Sequence, residues 1–177
     1  MFQTLLVFTP LYFLRLGAPE QVALQFLTLF CAGGVVLQFL IGHMLDRFAP
    51  SLVLVVCCSL LVTGLTLIAQ VWEIPLLAWP LVLLLGGAAA AIYTAGLAGI
   101  NDTFTSAEMP SGTAAFSVLW YVGGLSGPLL AGAAMESWNP YGMPVVVATV
   151  CLALVAANAA RSWARLWRFA SKRAPSG

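Results

Sequence analysis

The stretch Gly42-His43-Met44-Leu45-Asp46-Arg47-Phe48-Ala49-Pro50 sets the chain's single histidine three residues from a carboxylate and close to a guanidinium. An imidazole and a carboxylate at i and i+3 share one helix face, so they could bind a metal ion or pass a proton. A metal site needs three or four ligands, and no further His, Cys or acidic cluster lies nearby. His43 therefore reads as a solvated residue at a helix end. For Asp46 and Arg47 two readings stay open: a latch that closes one side of the protein, or a plain turn with Arg47 as a topology anchor. Ser126, between glycines in Gly-Leu-Ser-Gly (124–127), is the one serine placed like a nucleophile, which needs a base within hydrogen-bond reach. Cys31, Cys57, Cys58 and Cys151 all lie inside apolar runs, where cysteine acts as a small hydrophobe. Their spacing fits neither a disulfide frame nor a zinc site, and no metal or other cofactor is expected.

The elements that must position these groups follow from solvent. Charged residues make up 7% of the 177 and apolar ones 62%, against roughly 25% charged in soluble domains. With a mean hydropathy of +1.00, the solvent for most of this chain is lipid, and no nucleic-acid partner is expected. Charge-free intervals cover 1–14, 21–42, 51–72, 74–101, 109–135 and 137–160. About 20 apolar residues cross a bilayer as a helix, and five of the six intervals reach that length. They show neither a polar stripe nor barrel-strand alternation. The predicted helices are about 1–16, 20–43, 51–72, 75–100, 111–135 and 142–166, making a six-helix unit over 1–170 and a basic tail over 167–177. The first is short and lacks a signal peptide's basic start and cleavage site; it reads as a helix whose beginning is missing.

Positive charge gives the orientation. Arg161, Arg165, Arg168, Lys172 and Arg173 follow the last span and, with Arg47, place six of the seven basic residues on one side, the cytoplasmic one. The loop holding Asp102 and Glu108 falls on that side too. Trp72, Trp79 and Trp138 then lie near the outer boundary and Trp163 and Trp167 near the inner, as an aromatic belt.

An offset of 90 residues lays 30–50 over 120–140. Gly33, Gly34, Leu40, Gly42 and Pro50 match Gly123, Gly124, Leu130, Gly132 and Pro140, and Asp46 matches Glu136 in charge. Three crossings separate the two copies, so they run oppositely. The fold expected is an all-α membrane protein of six transmembrane helices in two inverted three-helix repeats, an arrangement that places transporter sites near the midplane.

At this point the chain resembles the C-terminal six-helix half of a bacterial major facilitator superfamily (MFS) permease, of the small efflux type, across essentially its whole length. Gly42, Asp46 and Arg47 match that family's loop signature G-x-x-x-D-R/K-x-G-R/K-R/K, whose later positions are here Ala49, Pro50 and Ser51. Gly123-Gly-Leu-Ser-Gly-Pro-Leu-Leu-Ala-Gly132 is similar to the family's fifth-helix motif, with Ala131 in place of one glycine. The resemblance implies transport of a small molecule by alternating access between two halves in the bacterial inner membrane, with the C-terminus cytoplasmic. The partner is a missing N-terminal half or a second copy of the chain. It also implies that the first, second, fourth and fifth helices line the pathway.

On those helices the mid-depth polar and aromatic residues are the cavity candidates: Gln25, Gln38, Tyr93, Thr94, Trp120 and Tyr121. Each is equally able to hydrogen-bond between helices. Gly123, Gly127 and Ala131, at four-residue spacing, together with Gly132 allow close helix approach, and Pro128 allows a bend. No ionisable residue lies deep in any span, so proton or ion coupling, if present, sits elsewhere. Six spans with Gly-x-Ser-Gly also resemble rhomboid proteases, but Ser126 and His43 differ in depth by roughly 20 Å at 1.5 Å per residue, which excludes that enzyme. A six-helix subunit that only binds a partner protein is the alternative to a permease.

Overall fold

The computed structural model describes residues 1–101 and 104–173, with side chains through Trp163 except those of Asn101 and Ser162. Asp102 and residues 174–177 lie outside the described residues, as do the side chains of Arg165, Trp167, Arg168, Lys172 and Arg173. All regular structure among the described residues is helical: α1 (Phe2–Arg15), α2 (Glu20–Val36), α3 (Gln38–Arg47), α4 (Pro50–Val71), α5 (Pro75–Asn101), α6 (Met109–Ser137) and α7 (Gly142–Arg173). Five stretches are long and apolar enough to cross a membrane: Glu20–Arg47, Pro50–Val71, Pro75–Ile100, Met109–Ser137 and Gly142–Arg161. At 14 residues α1 is shorter.

The chain ends its helices where chemistry requires. After α1, Gly17 takes a φ of +94°, Ala18 N–H bonds the Phe13 carbonyl at 3.0 Å and Gly17 N–H bonds Leu14 at 3.1 Å. This paired closure needs a left-handed residue, which glycine adopts without a Cβ clash. Pro19 then starts the return, since it cannot extend the helix. Pro50 stands at the start of α4 and Pro110 in the first turn of α6, where a missing N–H costs nothing.

Two expected boundaries are corrected. The helix predicted as continuous over 20–43 is resolved into α2 and α3 around Leu37, which itself keeps helical dihedrals (φ −79°, ψ −7°) and both ladder bonds, to the Gly33 carbonyl and from the Ile41 N–H; the two form one span, Glu20–Arg47, that runs on past the expected end. The last helix, predicted to end near 166, continues to Arg173 and takes up most of the expected tail.

Helix contacts close into a ring: α1 packs on α2, α2 on α5, α5 on α4, α4 on α7, α7 on α6 and α6 back on α1. Exchanging the first three spans for the last three carries α2–α5 into α6–α1, α4–α5 into α7–α1, α1–α2 into α5–α6 and α3–α4 into α6–α7. The α4–α7 contact maps onto itself. That correspondence is the geometry of two three-helix repeats. The core lies between α1, α2, α4 and α5, where Tyr12, Phe26, Leu61, Ile68 and Val82 are buried. Phe13 and Phe26 meet there at 4.4 Å between ring centres. Half of α5's most apolar stretch is buried, against 6% of α6's.

Candidate functional site

Glycine sets how closely the site's helices approach. A Cβ at Gly33 would overlap the Leu83 carbonyl of α5, and a Cβ at Gly86 would overlap the Phe30 carbonyl of α2. Backbone therefore touches backbone at this crossing, as small residues permit in membrane helices. One residue on, a Cβ at Gly87 would strike the side chain of Leu37, the residue at which α2 gives way to α3. Directly after Leu37, Gln38 faces α5.

There the Thr94 hydroxyl donates to Gln38 Oε1 at 3.2 Å, with the carbonyl of Ala90 a second acceptor at 3.4 Å. Away from water, polar groups need such partners. The bond uses the Gln38 carbonyl oxygen and leaves its amide N–H groups available to other acceptors. On the preceding residue of α5, the Tyr93 ring meets Trp120 of α6 edge-on, 4.6 Å between centres. Phe116, one turn before Trp120, completes the group at 5.5 Å from Tyr93 and 6.2 Å from Trp120. It fits because Gly96 lies beneath it: a Cβ there would come within 2.8 Å of the phenyl ring. Gln38, Tyr93, Thr94, Phe116 and Trp120 are all half-buried.

Four of the six cavity candidates are thus brought together, with α5 as the shared wall. Tyr121 is exposed, on a different face of α6 from Trp120. Gln25 is exposed on α2, thirteen residues and roughly 20 Å from Gln38 at 1.5 Å per residue. Phe116 was not among the candidates. The signal that would have found it is its i, i+4 spacing to Trp120, which puts both rings on one helix face.

The remaining sequence features fall elsewhere. Gly42 has open space around it; Asp46 and Arg47 are exposed in the last turn of α3, as is His43 one turn earlier. A cation in a helix's last turn is favoured by the backbone dipole. On α6, a Cβ at Gly127 would overlap the Thr4 hydroxyl, and Cβ atoms at Gly124 and Gly132 would lie 3.4 Å and 3.5 Å from Gln3 and Phe8 of α1. Gly123 meets open space, so the packing face runs through 124, 127, 131 and 132 and not through Gly123. This is the repeat's counterpart of α2 on α5. Pro128 stands inside α6, which continues through it.

Arg15 caps the pair, donating to the Met135 carbonyl in the last turns of α6 at 2.7 Å. Between α5 and α6 the Thr105 hydroxyl and amide both donate to Glu108 Oε2, at 2.8 and 3.2 Å. Those two bonds hold the Glu108 carboxyl below its usual range. The Ser126 hydroxyl donates to Val122 within its own helix. Among the described residues, no three His, Cys, Asp or Glu side chains converge as metal ligands. Stacking and hydrogen bonding by uncharged groups are what the Gln38–Trp120 cluster offers a ligand.

A family model described as Major Facilitator Superfamily matches residues 1–175. An uncharacterized MFS-type transporter, YfkF of Bacillus subtilis (strain 168), is 27% identical over 160 residues, covering 87% of this chain and 40% of that protein. The chain therefore spans less than half of that relative's length. No solved structure matches.

Proposed function

The chain belongs to the major facilitator superfamily, and we propose that it acts as one six-helix half of a secondary transporter that carries a small solute across the membrane by alternating access. The observation behind this reading is the Gln38–Thr94 bond beside the Tyr93–Trp120 pair. It joins polar and aromatic groups from three helices inside an apolar protein, where packing alone calls for neither. The other half is an N-terminal six-helix unit or a second copy of the chain. The bilayer is the bacterial inner membrane, with Arg47 and the C-terminus on the cytoplasmic side by the positive-inside rule. Asp46 with Arg47 then latches the cytoplasmic face, and the solute is held by stacking on Tyr93, Phe116 and Trp120 and by the Gln38 amide. Mid-depth charge is absent from the described spans, which suits an uncharged solute and places any coupling proton or ion outside them.

A test needs no knowledge of the solute. Single cysteines at 94 and 120, in a chain freed of its native cysteines, are exposed to a membrane-impermeant thiol reagent in right-side-out and in inverted vesicles of cells producing the full polypeptide. Alternating access predicts labelling of both positions from both sides, while a cysteine at the buried Leu61 stays unlabelled. Labelling from one side alone rejects the mechanism. Reporter fusions that place the C-terminus outside would reverse the orientation.

A further inference from the structure

The basic residues at the C-terminal end of α7 have a register that topology does not require. The positive-inside rule counts basic residues near the end of a span and is indifferent to their spacing. Arg161, Arg165, Arg168 and Lys172 stand at i, i+4, i+7 and i+11, positions that share one face of a helix. Trp163, Leu166, Trp167 and Ala170 stand at i, i+3, i+4 and i+7, on the opposite face. An extended tail would scatter both sets, but α7 continues as helix to Arg173, so both faces are kept. No acidic residue follows Glu136. Trp163 is 72% exposed, so this chain leaves the start of the apolar face uncovered. A second contact sets the depth. The Asn158 side-chain amide donates to the Ser51 carbonyl at 3.2 Å, and Ser51 is the second residue of the span Pro50–Val71. Asn158 therefore lies level with the edge of the apolar layer, beside the turn that follows Arg47.

We propose that the 161–173 segment of α7 is a binding surface for anionic phospholipid, its basic face taking headgroup phosphates of the leaflet from which it emerges and its Trp163 face taking acyl chains. A helix with Lys and Arg on one side and Trp and Leu on the other seats in this way at a membrane interface. Along the axis, Arg161 stands about 5 Å beyond Asn158, Arg165 about 10 Å, Arg168 about 15 Å and Lys172 about 21 Å at 1.5 Å per residue. Headgroups occupy about 5–8 Å outside the hydrocarbon, and a charged surface acts over about 8 Å more at physiological salt. Three of the four basic positions fall within that reach even with α7 upright, and tilt brings the fourth closer. Guanidinium groups bind phosphate oxygens two at a time, and each basic group near an anionic surface strengthens the attraction roughly fivefold. A zwitterionic lipid carries the same phosphate but cancels its charge. The surface does not depend on alternating access, and through Asn158 and Ser51 it ties the start of α4 to the same leaflet.

The experiment is binding of fluorescently tagged phosphatidylglycerol to the purified full polypeptide in neutral detergent, competed with untagged phosphatidylglycerol or phosphatidylcholine. The anionic lipid should compete about tenfold better or more, and that advantage should fall several-fold as salt rises from about 50 mM to about 500 mM. The Arg161→Gln/Arg165→Gln/Arg168→Gln/Lys172→Gln variant should lose the advantage, and Arg161→Lys/Arg165→Lys/Arg168→Lys, which keeps the charge, should retain most of it. Equal competition by the two lipids, an advantage insensitive to salt, or an unchanged advantage in the glutamine variant each overturns the proposal. Trypsin supplies a second measurement on the unsubstituted protein, independent of whether a variant folds. Cleavage after the basic residues of 161–173 should be slowed by phosphatidylglycerol and not by phosphatidylcholine; equal protection in both would mean that a protein surface covers the segment, which also overturns the proposal.

Discussion

Gly86→Ala tests whether α2 and α5 are held by direct backbone contact. The added methyl would overlap the carbonyl of Phe30. Restoring an ordinary carbon–oxygen contact of about 3.3–3.6 Å requires the helices to part by on the order of 1 Å. A gap of that size forfeits roughly a quarter to a half of each dispersion contact along the seam, which includes Phe30, Val82, Leu85 and Ala89. Overpacking costs about 1–3 kcal/mol, and this collision falls at the upper end because a backbone carbonyl cannot rotate aside. The expected loss is about 3 kcal/mol, roughly a hundredfold in the folded-to-unfolded ratio. Gly33→Ala should cost a similar amount through Leu83. The double variant should cost less than the sum by about 1 kcal/mol, since helices already parted for one methyl admit the second. Reversible unfolding by sodium dodecyl sulfate in mixed micelles, followed by helical circular dichroism, measures all three. Gly42→Ala and Gly123→Ala, whose new Cβ atoms meet nothing within 4 Å, are the controls and should stay within about 0.5 kcal/mol. A Gly86→Ala loss no greater than these controls, or strict additivity of the pair, would refute the backbone-contact account.

Three further outcomes are expected. The Tyr12 hydroxyl is buried without a hydrogen-bond partner beside a cavity of about 20 Å³ whose other walls include Leu5, Phe30, Leu65, Ile68 and Leu85; Tyr12→Phe should leave stability unchanged or raise it by about 1–2 kcal/mol in the same unfolding assay, and a loss of that size would show the hydroxyl is satisfied. Arg15→Met removes the charged donor to the Met135 carbonyl and should cost about 1.5–3 kcal/mol, a value near zero being the contrary result. The Glu108 carboxyl, held low by Thr105, should titrate below an unperturbed glutamate in carbon NMR of the protein in neutral detergent. Because the folded value is the lower one, this turn contributes its full stability above the unfolded value and loses it as pH falls through the folded one. Thr105→Val should raise the midpoint, and a wild-type midpoint no lower than that of the Thr105→Val variant would contradict the geometry.

The spans were legible because charge is so scarce that each acidic or basic residue marks a boundary, and the inverted repeat because Gly33-Gly34 and Gly123-Gly124 recur in register with an acidic residue and a proline. The division at Leu37 was not. No proline or glycine marks it in sequence; its side chain packs over Gly87, fifty residues away. Phe116 was hidden for a related reason, since one more aromatic in an apolar run carries no signal until Gly96 is seen beneath it. Polarity singled out Gln25 and Gln38 alike. Only the packing of α3 on α5 separates the glutamine that reaches Thr94 from the one that faces outward.

The cluster therefore straddles two unlike junctions. On one side α5 meets α2 through glycines that leave no space between backbones, and the Gln38–Thr94 bond lies just beyond that crossing. On the other side α5 meets α6 through aromatic rings, and α6 has the smaller buried share. Relative motion costs least where contacts are few and made by side chains that can rotate, and most where backbones touch. On the proposed reading, Gln38, Tyr93 and Thr94 move as one wall while Trp120 and Phe116 move against it with α6. The stacked solute would then be released by separation of Tyr93 from Trp120 while the Gln38–Thr94 bond stays closed. On that same reading the two glycine-lined crossings do different work: Gly33 with Gly86 would fix a wall, and Gly124, Gly127 and Gly132 would give α6 a small-residue surface on which to slide along α1.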